Sequence, residues 1–135
     1  MRVYLDTNVI VSAVATRGLC ADVLHVVVAD HDLVVGARLL AEVRRVLRTK
    51  LRLPADAVSE VEAFLRQQGD VAAAPAVHRV KIRDPADVRI LAEALGGAAG
   101  ILVTGDRDLL DVADKAPLRI VSPRGMWDLL RSGLE

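Results

Sequence analysis

The sequence predicts an α/β fold in which a parallel sheet is covered by helices on both faces, and three observations predict it. Short β-branched or aliphatic runs alternate with longer segments of helical periodicity. Helix start and stop residues (Gly69, Asp84-Pro85, Gly96-Gly97 and Ser122-Pro123) fall between the two kinds of run. No repeat, low-complexity tract or linker breaks the alternation within 135 residues, a length that supports one domain, 1–135, with its own core. Strands alternating with helices form parallel sheets, and functional groups then gather beyond the carboxyl ends of the strands.

The elements follow in order. Val3 to Leu5, β-branched and aromatic, reads as a strand that stops at Asp6. Leu19 to Ala29 reads as a buried helix, and Leu33 to Val35 as a strand closed by Gly36. From Ala37 to Leu51, residues Leu39, Leu40, Val43, Val46 and Leu47 recur at helical spacing. Pro54 ends that pattern, and a second amphipathic helix runs from Ala55 to Gln68. Asp84-Pro85 opens a helix through Leu95, with Gly96-Gly97 as its stop. Ile101 to Thr104 and Leu118 to Val121 read as strands, and a last helix follows Ser122-Pro123 to about Ser132.

Composition narrows the classes of function. Lysine and arginine balance aspartate and glutamate, so net charge points to neither nucleic acid nor membrane, and any such site must be local. A single cysteine, Cys20, excludes an internal disulfide and a cysteine-based zinc cluster, and fits a reducing cytoplasm. Met1-Arg2 runs directly into a strand-like segment, which leaves no room for a signal peptide. The apolar runs Val9 to Ala15 and Val23 to Ala29 are too short to span a bilayer, so a soluble protein is expected. A mean hydropathy of +0.34 is nevertheless high for so small a chain, and implies apolar surface covered by a partner or a second copy.

Carboxylates mark the candidate site. Asp6 and Asp106 each follow an apolar strand directly, at the carboxyl edge of the sheet. Asp87 precedes Ile90, Leu91 and Ala94 at helical spacing and so points into the apolar stripe, whereas Asp84, with Pro85 next to it, reads as an N-cap. Glu42 lies at the border of the inward face of its helix. Each acid has a structural alternative: Asp6 as an Asx-turn residue, Asp106 as a turn or cap, Glu42 as a solvated partner of Arg38 or Arg45, and Asp87 as part of an acidic first turn that favours the helix dipole, and the sequence leaves open which of Asp84 and Asp87 is the ligand. Together, however, converging carboxylates repel one another unless a cation compensates, and Mg²⁺ or Mn²⁺ suits oxygen donors. Such an ion lowers the pKa of its water and offsets charge in phosphodiester hydrolysis, with Asp6 and Asp106 as expected ligands and Asp87 and Glu42 binding metal or orienting water. His25, His31 and His78 read as structural.

Leu5-Asp6-Thr7-Asn8, Glu42 within its helix, Asp84-Pro85-Ala86-Asp87 and Val103-Thr104-Gly105-Asp106-Arg107-Asp108 resemble, in order and spacing, the PIN domain family, and within it the prokaryotic VapC-like toxins. That resemblance covers nearly the whole chain. It implies a three-layer α/β/α sandwich with a central, mainly parallel sheet, and Mg²⁺- or Mn²⁺-dependent cleavage of RNA by the toxin of a toxin-antitoxin pair. By position, Asp6, Glu42, Asp87 and Asp106 match the family's acidic quartet, Asp108 matches an acid found in some members, and Asn8 and Thr104 match residues that support the site.

Substrate and partner signals are local. Arg38, Arg44, Arg45, Arg48, Lys50 and Arg52 form a basic row that could meet RNA phosphates, meet an acidic antitoxin segment, or be a solvated helix face. Tyr4, Phe64 and Trp127 are the only aromatic residues, so base stacking on aromatics is not expected to dominate. Val58, Val61, Phe64 and Leu65 form an apolar stripe suited to a homodimer contact or to packing on the chain's own sheet. A phosphorelay receiver needs paired acids after the first strand and a lysine after the last, and a haloacid-dehalogenase-like phosphatase needs an aspartate where Asn8 stands. The remaining rival is a PIN-like module that binds RNA or protein without cutting.

Overall fold

The computed structural model describes residues 1–133. Five parallel strands, β1 (Arg2–Leu5), β2 (Asp32–Val35), β3 (Gly69–Val71), β4 (Ile101–Val103) and β5 (Arg119–Val121), lie in the order β3-β2-β1-β4-β5. The helices are α1 (Thr7–Ala15), α2 (Leu19–Asp30), α3 (Ala37–Thr49), α4 (Ala55–Gln68), α5 (Pro85–Gly96), α6 (Arg107–Leu110) and α7 (Pro123–Ser132), and they complete the three-layer sandwich. Val3, Tyr4, Leu5, Val34, Val35, Leu102 and Val103 are inaccessible, which is why these strands read as unbroken apolar runs. After β3 the chain crosses back to the other side of β1. The order of the sheet therefore reverses between β1 and β4, the switch point at whose carboxyl ends sheets of this kind place their sites.

The structure departs from the sequence reading, or adds to it, at four points. The segment 69–71, read as a helix stop, is edge strand β3: its residues are half-buried or exposed, so they lack the apolar run that betrays a central strand. Thr7–Ala15, to which the sequence reading assigned no element, is a helix: the Asp6 side chain caps it, and Val9 and Ile10 pack into the core. The stripe on α4 divides: Val58 and Leu65 are 2% and 1% exposed within the chain's own core, while Phe64 is 41% exposed. Helix α2 is also less enclosed than expected, with only Val23 and Val27 fully buried. Among the described residues no single helix is long and apolar enough to cross a membrane.

One buried carboxylate fastens two helices to the sheet. Glu93, on α5, accepts hydrogen bonds from the Tyr4 hydroxyl (2.6 Å) and from the backbone N–H groups of Arg38 (2.9 Å) and Leu39 (3.0 Å). Helix α3 has no capping side chain of its own at Gly36, and Glu93 supplies the negative charge its N-terminus favours. A Cβ at position 36 would overlap the Glu93 side chain, so glycine there is a steric requirement. Burial, then the Glu93 carboxylate, hold the Tyr4 phenol in its neutral, donating form by raising its pKa.

Candidate metal centre

The centre is assembled where β1 and β4 end. The Asp6 N–H donates to the Val103 carbonyl (2.9 Å), which extends the β1–β4 ladder and holds Asp6 at the sheet edge. Its Oδ1 accepts from the Thr7 N–H (2.7 Å) and its Oδ2 from the Thr104 hydroxyl (2.7 Å). Thr104 is fully buried, and its Oγ1 accepts from the Asp106 N–H (3.0 Å), so one hydroxyl links the acids of both strands. Asp106 accepts through Oδ1 from the Asp108 N–H (2.8 Å), which caps α6 and turns Asp108 back toward the edge. From α5, Asp87 enters this space 2% exposed, beside Ile90, Leu91 and Ala94 of the apolar stripe. Carboxylate oxygens of Asp87, Asp106 and Asp108 lie within 4.8 Å of one another.

The electrostatics are those of a site with excess negative charge. Burial first, then the adjacent Asp106 and the charges of Asp84 and Asp6, push the Asp87 carboxyl up to about 7. Asp6 is also raised, mainly by burial and further by Asp106, although its bonds from Thr104 and Thr7 and the charge of Arg38 oppose this. Asp87 Oδ2 is buried with no hydrogen-bond partner. An unpartnered buried oxygen among converging carboxylates is the donor set of a hard divalent cation, so the residues fit Mg²⁺ or Mn²⁺.

The other expected residues divide between this centre and its surroundings. Asp84 is an exposed N-cap that accepts from the Ala86 N–H (2.9 Å), in contrast to Asp87 three residues later. Glu42 stands apart from the three-acid group, with a side chain 33% exposed and bound to Arg45 (2.6 Å). The hydrogen bond from Arg45 lowers its pKa. Asn8 is exposed on α1, while Thr104 lies inside the centre. Arg44, Arg45 and Arg48 line a shallow groove of about 460 Å³; Arg45 pairs with Glu42 and Arg44 with Glu62 (3.5 Å), which leaves Arg48 without an ion pair among the described residues. All three histidines bond to backbone groups: His25 to the Ala21 carbonyl, His31 to the N-terminal amine, and His78 to Val88 and Val80.

A family model for the PIN domain matches residues 2–108, a span that takes in Asp6, Glu42, Asp87, Asp106 and Asp108. The chain belongs to the PIN domain family. Six chains of solved structures match it. One, from the crystal structure of VapBC2 from Rickettsia felis bound to a DNA fragment from their promoter, aligns with a TM-score of 0.62 at 17% identity, covering 90% of this chain and 98% of the other. The two share the fold. No curated protein matches the sequence.

Two contributors to this PIN domain's site escape the sequence reading. Glu93 carried a signal, as the only charge in the apolar run Ile90 to Leu95, opposite a helix start whose glycine cannot cap. Arg38 was counted in the basic row and as a possible partner of Glu42; its Nη1 is buried without a hydrogen-bond partner, and its charge bears on Asp6 as well as on Glu42.

Proposed function

We propose that this PIN domain is a metal-dependent endoribonuclease that hydrolyses RNA phosphodiester bonds, acting in the cytoplasm as the toxin of a toxin-antitoxin pair. The observation that carries the reading is the group Asp87, Asp106 and Asp108 at the sheet's switch point, with a buried unpartnered oxygen on Asp87. Asp87, Asp106 and Asp108 would hold Mg²⁺ or Mn²⁺, with Asp6 beside them. When bound, such an ion supplies a water acidic enough to attack at neutral pH and offsets charge growing on the phosphoryl group. Thr104 keeps Asp6 and Asp106 at the carboxyl edge of the sheet through its two hydrogen bonds. In the metal-free chain burial and the neighbouring acids push the Asp87 carboxyl up to about 7, and a bound cation would favour its ionised form. Glu42, held by Arg45 in this structure, would act as a water-orienting group once released from it. The structural similarity to a chain of a toxin-antitoxin complex supports a protein antitoxin as partner, and the exposed Phe64 supports a homodimer.

Glu42's engagement by Arg45, outside the acidic group, favours a second reading, a PIN-like module that binds RNA without cutting it. Incubation of the purified protein with a mixed RNA pool, with and without Mn²⁺, separates the two. Cleavage that appears with Mn²⁺ and is abolished by EDTA is the expected result. Intact RNA across all conditions, with the protein folded, would overturn the nuclease reading.

A further inference from the structure

Between β3 and α5 the chain runs without bend or turn from 75 to 82 and bends only at 83–84, where Asp84 caps α5. In extended backbone successive side chains point to opposite faces, and the burial of this strap alternates accordingly. Val80 and Ile82 pack against the core, while Arg79, Lys81 and Arg83 are exposed. The strap is fastened to α5 at two places. The Ala76 N–H donates to the Ala92 carbonyl (2.9 Å). His78 Nδ1 accepts from the Val80 N–H (3.1 Å), which leaves Nε2 as the donor to the Val88 carbonyl (2.8 Å). Val88 directly follows Asp87, so the second anchor lies beside the helical turn that brings its buried carboxylate to the acidic group.

The three cations therefore stand in one outward row, about 6.6 Å apart by the rise of extended chain. The row ends at the first turn of α5. Asp84, the acid that follows Arg83, is engaged as the helix cap. Arg79, Lys81 and Arg83 make no ion pair among the described residues, and neither does Lys115 of the 3₁₀ turn Ala113–Lys115. Arg79, Lys81 and Lys115 line one cleft of about 600 Å³, and no carboxylate lines it.

We propose that this strap is an RNA exosite, in which Arg79, Lys81 and Arg83, with Lys115, hold successive phosphates of the single strand that flanks the bond cut at the acidic group. The proposal deepens the ribonuclease reading and rests on it for the identity of the polymer. The spacing of the row is close to that of successive phosphates in an extended strand. A polyanion that approaches a centre with excess negative charge also needs cations outside that centre. An acidic peptide could meet the same charges, but the course of the row toward Asp87 serves only a strand that continues into the acidic group. Contacts of this kind set the register of the strand and carry no sequence preference.

The test measures binding apart from cutting. Fluorescein-labelled single-stranded RNA is titrated into the full chain in EDTA, and anisotropy is followed over a range of salt. Arg79→Gln, Lys81→Gln and Arg83→Gln together should weaken binding at least tenfold. They should also flatten the slope of log affinity against log salt by about 2, at roughly 0.7 per phosphate contact in a single strand. Lys115→Gln, on a separate segment, should flatten it by about 0.7 alone, and it keeps the test decisive if the triple variant fails to fold. In Mn²⁺ the triple variant should raise KM for RNA at least tenfold more than it lowers kcat. Parent-like binding in either variant would overturn the exosite, as would a slope lost only in Arg44→Gln with Arg48→Gln. A polyglutamate peptide is the control: binding as tight as that of RNA, lost equally in the variants, would make the row a docking site for acidic protein and overturn the RNA assignment. A parent that binds RNA through the strap yet cuts none in Mn²⁺ supports the exosite while sinking the nuclease reading.

Discussion

Replacing Asp87 by Asn removes one negative charge from the most crowded point of the centre with almost no change of shape. The magnitude follows from linkage. The Asp87 carboxyl stands at about 7 in the folded chain against 3.8 as the ordinary value, so folding favours its protonated form. Its contribution to stability is complete below 3.8, falls as pH rises, and is lost above about 7. The interval is roughly three decades of proton affinity, which at about 1.36 kcal/mol per decade is on the order of a few kcal/mol. An amide cannot ionise and can still donate to Asp106. Asp87→Asn should therefore stabilise the metal-free protein by that amount at about pH 8, and by roughly a third of it at about pH 5. In Mn²⁺ the parent gains about 2.7 kcal/mol at a hundredfold excess over Kd and the variant far less, which narrows the gap at about pH 8 and reverses the order at about pH 5. Urea unfolding at both pH values, in EDTA and in Mn²⁺, measures all four quantities, with RNA cleavage measured alongside and expected to be lost. Equal destabilisation of the variant at both pH values in EDTA, or an undiminished response to Mn²⁺, would refute the account of Asp87 as a strained carboxylate awaiting a cation.

Asp84→Ala removes an exposed cap and should cost about 1 kcal/mol in urea unfolding while RNA cleavage is largely retained; loss of cleavage at unchanged stability would mean that the roles of Asp84 and Asp87 are reversed. Asp6→Asn and Asp106→Asn should each abolish Mn²⁺-dependent cleavage with the circular dichroism spectrum unchanged, and a wild-type rate from either would remove that residue from the chemistry. Glu93→Ala strands the Tyr4 hydroxyl and two N–H groups of α3 and should cost on the order of 3 kcal/mol, whereas Tyr4→Phe, which loses one bond, should cost about half as much. Light scattering at micromolar concentration should report a dimer that Phe64→Glu dissociates; a monomer in both proteins leaves Phe64 as a lone exposed apolar residue.

Much of this was legible because the central strands leave no ambiguity: runs such as Val3 to Leu5 and Ile101 to Val103 are buried on both faces, and an acid directly after the first and another three residues after the second lie at the carboxyl edge of the sheet. Helical spacing sends Asp84 to the N-cap and Asp87 into the stripe, as the structure places them, while the sequence left open which of them is the ligand. Strand β3 was not legible, because an edge strand of three residues carries half the burial and so half the signal. Asp108 was placed by resemblance alone; its approach to Asp87 depends on a turn at Gly105 and a four-residue helix that no periodicity announces.

The pairing of Glu93 with α3 was illegible for a deeper reason, and it bears on how the centre holds together. Helix propensity and amphipathic pattern describe α3 and α5 separately, but the bond from Glu93 to the start of α3 joins residues 54 and 55 positions apart. Asp87 and Glu93 lie on one helix, the first unsatisfied in the acidic group and the second fully engaged beneath it. Repulsion that would push α5 away from the sheet edge at Asp87 is opposed less than two turns later by a carboxylate bound to β1 and α3 together. The same contact sets the first turn of α3, and with it the position of Arg38 and, one turn further on, of Glu42. A structural carboxylate thus positions the functional ones, and its loss should weaken metal binding as well as fold stability.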